Sequence, residues 1–524
     1  MAYTPYPIYS FKSGLNLYNE PWLLPADAFS IFNNAYINRG IIKKRLGYTY
    51  FGKMAYSDSS GNITYPQTPI LGIYEFQDSK GDSQLIILDK NRGASYNEST
   101  KVFDPIGSSD VFNTNDGEFY FAINWYDKLW IVNNTDPLYY YTPTDGFVQV
   151  NVDTDGDGNN NLQSALLVYP FYERLLLLST YEDGYAKHQR IRWSQVGNGL
   201  DWTNDEYIDL PTDDWIVSAD FLNDNIIIWC ERSIWKLYYT GDADLPFGVK
   251  KIIDTEGSYA TFSLAVFDNE QIALGSTDLI SFDGTQTTSV DYNQTPNFIF
   301  TVNQSKINLT YSVALDEVNQ NWWAYPSTDS DYANKQLVLC YMENTFSIYD
   351  IPMQVFGYWQ TTGGYTWDDI DQTWDEIGWT WDSTLLQSGY PTTLGGDMNG
   401  NVWTLNSAES DNGNPINMEI MSGRWNPFIK DGYQARLGWI DFYFTKDNSS
   451  YIDIEFYHNE NAITPYMSKT ISLAGDSNSD KVIKRVYVND VANFHQIKIK
   501  QNAANQSVEI HAIIPYFKQA GMIK

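Results

Sequence analysis

Short apolar runs of strand length, each closed by Asp, Asn, Gly or Pro, return along this 524-residue chain at intervals of about 40 to 50 residues. Ile70-Leu71-Gly72-Ile73-Tyr74-Glu75-Phe76 is followed by Gln84-Leu85-Ile86-Ile87-Leu88. Phe119-Tyr120-Phe121-Ala122-Ile123 precedes Lys128-Leu129-Trp130-Ile131-Val132 and Leu138-Tyr139-Tyr140-Tyr141. The same grouping returns at Ile216 to Phe221, Asn225 to Trp229 and Ser233 to Tyr238. It returns again at Glu270 to Leu274 with Asp278 to Phe282, and at Asn321 to Tyr325 with Leu337 to Tyr341. This period predicts a β-propeller, in which radial four-stranded sheets close into a ring and so protect their edges. Groups between Ile70 and Leu405 give about six to eight blades. A single sandwich of that length would be oversized.

The side chains agree with an all-β fold. Aromatic residues make up 16% of the chain, with 40 Tyr and 18 Trp, and such residues favour pleated surfaces over helices. No window holds the roughly eighteen uninterrupted apolar residues that a membrane helix needs, and Met1 to Tyr9 has no signal-peptide pattern. The expectation is a soluble protein made in a cytoplasm. Cys230 and Cys340 are too few for a disulfide framework and suit two buried small hydrophobes.

The net charge of −32 is unevenly spread. Residues 1–55 carry +4, residues 56–415 carry −37 and residues 416–524 carry +1. Such a body repels nucleic acid, because phosphate affinity comes from Lys and Arg releasing counterions. It suits either a surface that DNA slides past or simple solubility. After Asn412-Gly413-Asn414-Pro415 the strands alternate, as in Tyr451-Ile452-Asp453-Ile454-Glu455-Phe456-Tyr457. Alternation of period two means one buried and one wet face, so 416–524 reads as a β-sandwich-like domain.

The first fifty residues are Gly- and Pro-punctuated and lack a helical period, which reads as an extended arm over 1–55. Ser13-Gly14-Leu15-Asn16-Leu17, Pro21-Trp22-Leu23-Leu24-Pro25, Asn33-Asn34-Ala35-Tyr36 and Gly40-Ile41-Ile42-Lys43-Lys44-Arg45-Leu46-Gly47 follow one another. In that order they resemble the opening of the tail nozzle and hub proteins of short-tailed bacteriophages. Arg190-Ile191-Arg192-Trp193-Ser194, Glu231 to Leu237, Pro246-Phe247 and Glu256-Gly257 extend the resemblance to about half the chain. The resemblance implies a virion protein, assembled in the host cytoplasm, in a homo-oligomeric ring that is six-fold by family analogy. Its partners would be tail adaptor or ring proteins, tail fibres, and DNA passing without specific binding. Lys43, Lys44 and Arg45 would dock the arm on a neighbouring ring.

Two further segments carry candidate sites. Residues 363–383 repeat a Trp-Asp unit every seventh residue, at Trp367, Trp374 and Trp381, inside the propeller region. Three evenly spaced indoles can grip a sugar ring or a neighbouring subunit, or merely pin an inserted loop. Asp153, Asp155, Asp157, Asn159 and Asn161 place oxygens at alternate positions around Gly158, the spacing of a calcium loop. The twelfth position is Ser164 in place of the bidentate glutamate, so a plain Asp-Gly turn competes with a weak calcium site. No cofactor is otherwise required.

The four histidines are scattered, and no nucleophile elbow, phosphate loop or paired-cysteine motif occurs. The leading expectation is therefore a non-enzymatic tail nozzle or hub subunit, taking part in genome ejection. The alternative is a carbohydrate-binding or glycan-cleaving propeller used in host attachment.

Overall fold

The computed structural model describes all residues except 1, 116, 154–157, 203–205, 243–244, 291–293, 296–297, 361–390, 460–462, 477–478 and 524. Among the described residues the regular structure is strand, with a few single-turn 3-10 segments and no helix long and apolar enough to cross a membrane.

The all-β expectation, a propeller body with further terminal sheets, is what the chain builds. Six four-stranded antiparallel sheets stand by themselves as blades. The first five follow the chain in order, beginning with Gly72–Gln77, Ser83–Leu88, Gly93–Asn97 and Val102–Pro105. A further four-stranded unit, Tyr311–Leu315 to Thr345–Tyr349, takes the place in the ring between the fifth of these and the last. It continues sideways into a ten-stranded sheet, so its edge is not free.

The second strand of each blade explains the unbroken apolar runs. Leu85 to Leu88, Leu175 to Leu178 and Ile226 to Trp229 are all buried, because a neighbouring blade covers each face of the sheet. Full burial of each such side chain stabilises the fold by about 1.5–3 kcal/mol relative to exposure.

Closure of the ring uses both ends of the chain. In the last blade, Val355–Trp359, Thr392–Gly396 and Asn401–Ala408 are completed by Gly47–Lys53, with Asn401 opposite Lys53 and Val402 opposite Gly52. The inner strands of first and last blade then meet. Gln354 Nε2 donates to the Ile70 carbonyl at 3.0 Å, and Ile70 N to the Asp397 carbonyl at 3.1 Å.

The N-terminal segment finds the surface it needs in its own chain. Ala28–Asn33 pairs with Met418–Ser422, and the sheet continues through His495–Gln501, Tyr451–His458 and Met467–Ser472. The facing sheet runs Lys481–Ala492, Tyr433–Thr445, Glu509–Met522, Ile41–Lys44 and Ala35–Asn38, and Thr4–Pro5 and Ile8–Tyr9 also pair with Glu509–Met522. Phe29, Phe32, Ile42, Leu437, Phe442 and Ile454 fill the space between them. The sandwich is thus built jointly by both termini.

Aromatic rings fill the propeller axis. Phe119, entering the second blade, meets Tyr311, the first residue of the inner strand Tyr311–Leu315, with ring centroids 5.3 Å apart. Phe262 stacks on the same Tyr311 at 5.2 Å and meets Phe119 at 5.5 Å. Blades far apart around the ring therefore touch through these rings across the middle.

Candidate functional site

In an up-and-down blade the turn from first to second strand and the turn from third to fourth emerge at one end. All blades therefore present those two turns on a common face. On it the second blade turns at Tyr126-Asp127 and the third at Tyr172-Glu173, inside the matching tetrads Trp125-Tyr126-Asp127-Lys128 and Phe171-Tyr172-Glu173-Arg174. Both turn residues are left-handed in each case, with φ of 47° and 55° for the first pair and 46° and 60° for the second. Two consecutive left-handed residues match the twist of a hairpin, but a bulky tyrosine there costs roughly 1–2 kcal/mol.

That conformation puts the rings into solvent. Tyr126 is 54% exposed and Tyr172 51%. Tyr172 stacks on Tyr239 of the fourth blade, with centroids 4.2 Å apart and planes 12° from parallel. The Tyr126 hydroxyl donates to the Glu173 carboxylate, and this bond raises the phenol pKa. A row of solvent-facing tyrosines thus runs from the second blade to the fourth.

At the end of this row lies a cleft of about 690 Å³ between the turns of the first and second blades. Its lining includes Asp78, Asp82, Gln84, Tyr96, Asn97 and Asp104, with Lys80 as the lining cation. Asp78 Oδ1 accepts from Lys80 N and Asp82 N, each at 2.9 Å, and so fixes the first-blade turn. Asp127, also lining the cleft, ties that turn to the second blade by accepting from Ser79 N at 2.5 Å and Ser79 Oγ at 3.1 Å. Asn97 Nδ2 donates to Asp104 Oδ2 at 2.8 Å, and Tyr141 donates to Gln84 Oε1 at 2.7 Å. Tyr96 is held edgewise and tilted among Phe51, Phe103 and Trp359. The arrangement presents fixed hydrogen-bonding side chains around an aromatic ring, a ligand-site chemistry.

Trp367, Trp374 and Trp381 lie outside the described residues. The last described residue before them is Gln360. Gln360 N donates to Glu75, whose carboxyl is raised by burial although Ser83 and Gln360 both hydrogen-bond to it.

Asp155 and Asp157 also lie outside the described residues. Asp153 is buried and accepts from Gly158 N at 2.8 Å, and Asn161 Nδ2 donates to Asp183 Oδ1 at 2.8 Å. Asn159 is exposed in the same connection between the second and third blades. Among the described residues no group of three or more His, Cys, Asp or Glu is placed to hold a metal ion.

Lys43, Lys44 and Arg45 are engaged within the chain. Lys43 pairs with Glu509 at 2.7 Å. Lys44 is buried, which lowers its pKa to about 8, and it donates to Gln501 and to the carbonyls of Ala503 and Gln506. Arg45 grips Asp411 with two bonds of 2.8 and 2.7 Å and donates to Asn34 at 2.7 Å. These cations fasten the N-terminal strands to the C-terminal region.

Sequence reading missed Tyr126, Tyr172 and Tyr239. The available signal was the repeated aromatic-Tyr-acid-base tetrad between two strand runs.

No family model and no curated protein matches the chain. Among solved structures it is similar to the computationally designed Ika8 protein, at 11% identity and TM-score 0.37, over 75% of this chain and 99% of that one. An exo-β-1,3-galactanase from Phanerochaete chrysosporium aligns at 11% identity and TM-score 0.27, over 90% and 100%. The extracellular domain of a hybrid two-component system from B. thetaiotaomicron aligns at 12% identity and TM-score 0.33, over 55% and 39%. These comparisons correct the tail-nozzle reading and its virion, tail and genome-ejection vocabulary. The motif resemblance finds no family or curated counterpart, and none of these three structures is a virion component. The expectation of a non-enzyme is corrected with it, since a sugar-cleaving enzyme stands among the matches.

Proposed function

We propose that the chain is a carbohydrate-binding β-propeller whose ligand face carries the first-to-second and third-to-fourth strand turns. One observation carries the reading: a cleft lined by fixed carboxylates and amides lies at the end of a row of exposed tyrosines on that face. Sugar rings offer apolar C–H faces to aromatic rings and vicinal hydroxyls to oxygen and amide partners, and both are supplied here. The acidic lining favours hydroxyl donors and disfavours anionic glycans. Trp367, Trp374 and Trp381 are proposed as a second source of stacking surface for the same ligand.

The test is a glycan array followed by calorimetry on the strongest neutral ligand. Asp82→Asn and Tyr172→Ala each weaken binding about tenfold, and a reducing-end assay on the same glycan reads any cleavage. Absence of binding to any glycan, or binding indifferent to both substitutions, contradicts the proposal.

A further inference from the structure

A second cleft, of about 500 Å³, lies at the seam between propeller and sandwich. One wall is the sandwich hairpin of Ile37, Arg39 and Ile41, and the other is made of two turns of the blade that joins the ten-stranded sheet, with Val318, Met342 and Glu343. Of its other charged groups, Lys43 is paired with Glu509 at 2.7 Å and Glu317 accepts from Asn406 at 3.2 Å.

Arg39 and Glu343 differ. Neither side chain is in a hydrogen bond or ion pair among the described residues, Glu343 acting only through space on the buried Cys340 thiol, and the two do not pair with each other although both line the cleft. Arg39 sits at the hairpin tip with φ of 52°, an unusual conformation for a long side chain, and is exposed. Met342, beside Glu343, is 74% exposed, and Ile37, Ile41 and Val318 also line a cleft that is otherwise largely polar. Opposite charges facing one cavity are commonly spent on each other. Here they are left for something that carries both signs.

We propose that this cleft binds a short zwitterionic peptide, the guanidinium of Arg39 taking the terminal carboxylate and the carboxylate of Glu343 the terminal ammonium. Arginine presents a planar fork that matches a carboxylate, and charge-assisted bonds of this kind are the stronger class. The volume falls within the usual range of roughly 300–1,000 Å³ for small-ligand sites. An apolar side chain at the first peptide position rests against Met342 and Ile41. The site is separate from the proposed glycan face and does not depend on it.

The probe is the tripeptide Leu-Gly-Gly, titrated calorimetrically into the full chain beside its N-acetylated, C-amidated form. Arg39→Asn retains a residue that tolerates positive φ, and Glu343→Gln retains shape. The expected result is binding of the free tripeptide, weakened about tenfold or more in each variant, with no binding of the blocked form. No binding of the free tripeptide at millimolar concentration overturns the proposal, as does equal binding of the blocked form or unchanged affinity in both variants.

Discussion

Arg192 grips Glu182 inside the third blade, with Nε to Oε1 at 3.0 Å and Nη2 to Oε2 at 2.9 Å, both side chains almost fully buried. Arg190 adds a bond of 3.0 Å to Oε2 while lying 3.5 Å over the Tyr207 ring, and Thr180 donates to Oε1 at 2.6 Å. Burial opposes ionisation of Glu182, but the bonds and charges of Arg192 and Arg190 prevail and hold its pKa below the usual value.

Removing that carboxylate takes this anion from the buried Arg192 guanidinium, whereas Arg190 keeps its two bonds to Asp209 at 2.9 and 3.0 Å. Glu182→Gln is expected to lower stability by about 3–5 kcal/mol. A fall in the urea midpoint checks this. Because the folded pKa is depressed, the contribution is complete above the unfolded value and is lost as pH falls through the folded one.

His495 supplies a second pH response. Burial lowers its pKa, although its Nε2 lies 2.9 Å from the Ala435 carbonyl and its Nδ1 lies 4.0 Å from Asp490. Asp490 also holds His458 at 3.3 Å. A depressed folded pKa means stability present above the unfolded value of about 6.5 and lost as pH falls. His188 and His511 are lowered by burial in the same sense, whereas Asp220, raised to about 6 by burial, acts oppositely. The expected outcome is that His495→Gln flattens the loss of thermal midpoint between pH 7.5 and 5.5. Differential scanning calorimetry at both values checks it.

The seam between first and last blade has no room for a methyl group at Gly357. A Cβ there stands 2.4 Å from the Ile73 carbonyl oxygen and 2.6 Å from Ile73 Cγ2. Backbone cannot yield as a flexible side chain can, so Gly357→Ala is expected to cost roughly 2 kcal/mol or more. Gly61→Ala is the comparison for an unobstructed glycine, since no atom lies within 4 Å of its Cβ, although its φ of 82° adds local strain. Chemical unfolding of the two variants separates packing at the seam from backbone strain.

The propeller was legible because runs such as Leu85 to Leu88 and Ile226 to Trp229 are covered on both faces, and double burial writes itself as unbroken apolar sequence. Its closure was not. Gly47–Lys53 pairs with Asn401–Ala408, and nothing local in either strand specifies a partner so far away. The same distance hid the role of Arg45, whose partner Asp411 lies 366 positions downstream. Three successive cations at a strand end read as a solvent-facing docking patch, whereas the fold brings Glu509, Gln501 and Asp411 to them. The tyrosine row was missed for another reason: Tyr126 and Tyr172 look like strand residues until the turn between two apolar runs is placed on them.

Hydroxyl-radical footprinting with and without the strongest neutral glycan tests the central claim most directly. The account predicts protection of Tyr126, Tyr172 and Tyr239. Tyr185, on the turn between second and third strands at the opposite end of its blade, and Tyr487 of the sandwich edge keep their reactivity; they are 70% and 67% exposed. Protection confined to Tyr185 or Tyr487, or unchanged reactivity at all five while the glycan is bound, contradicts it.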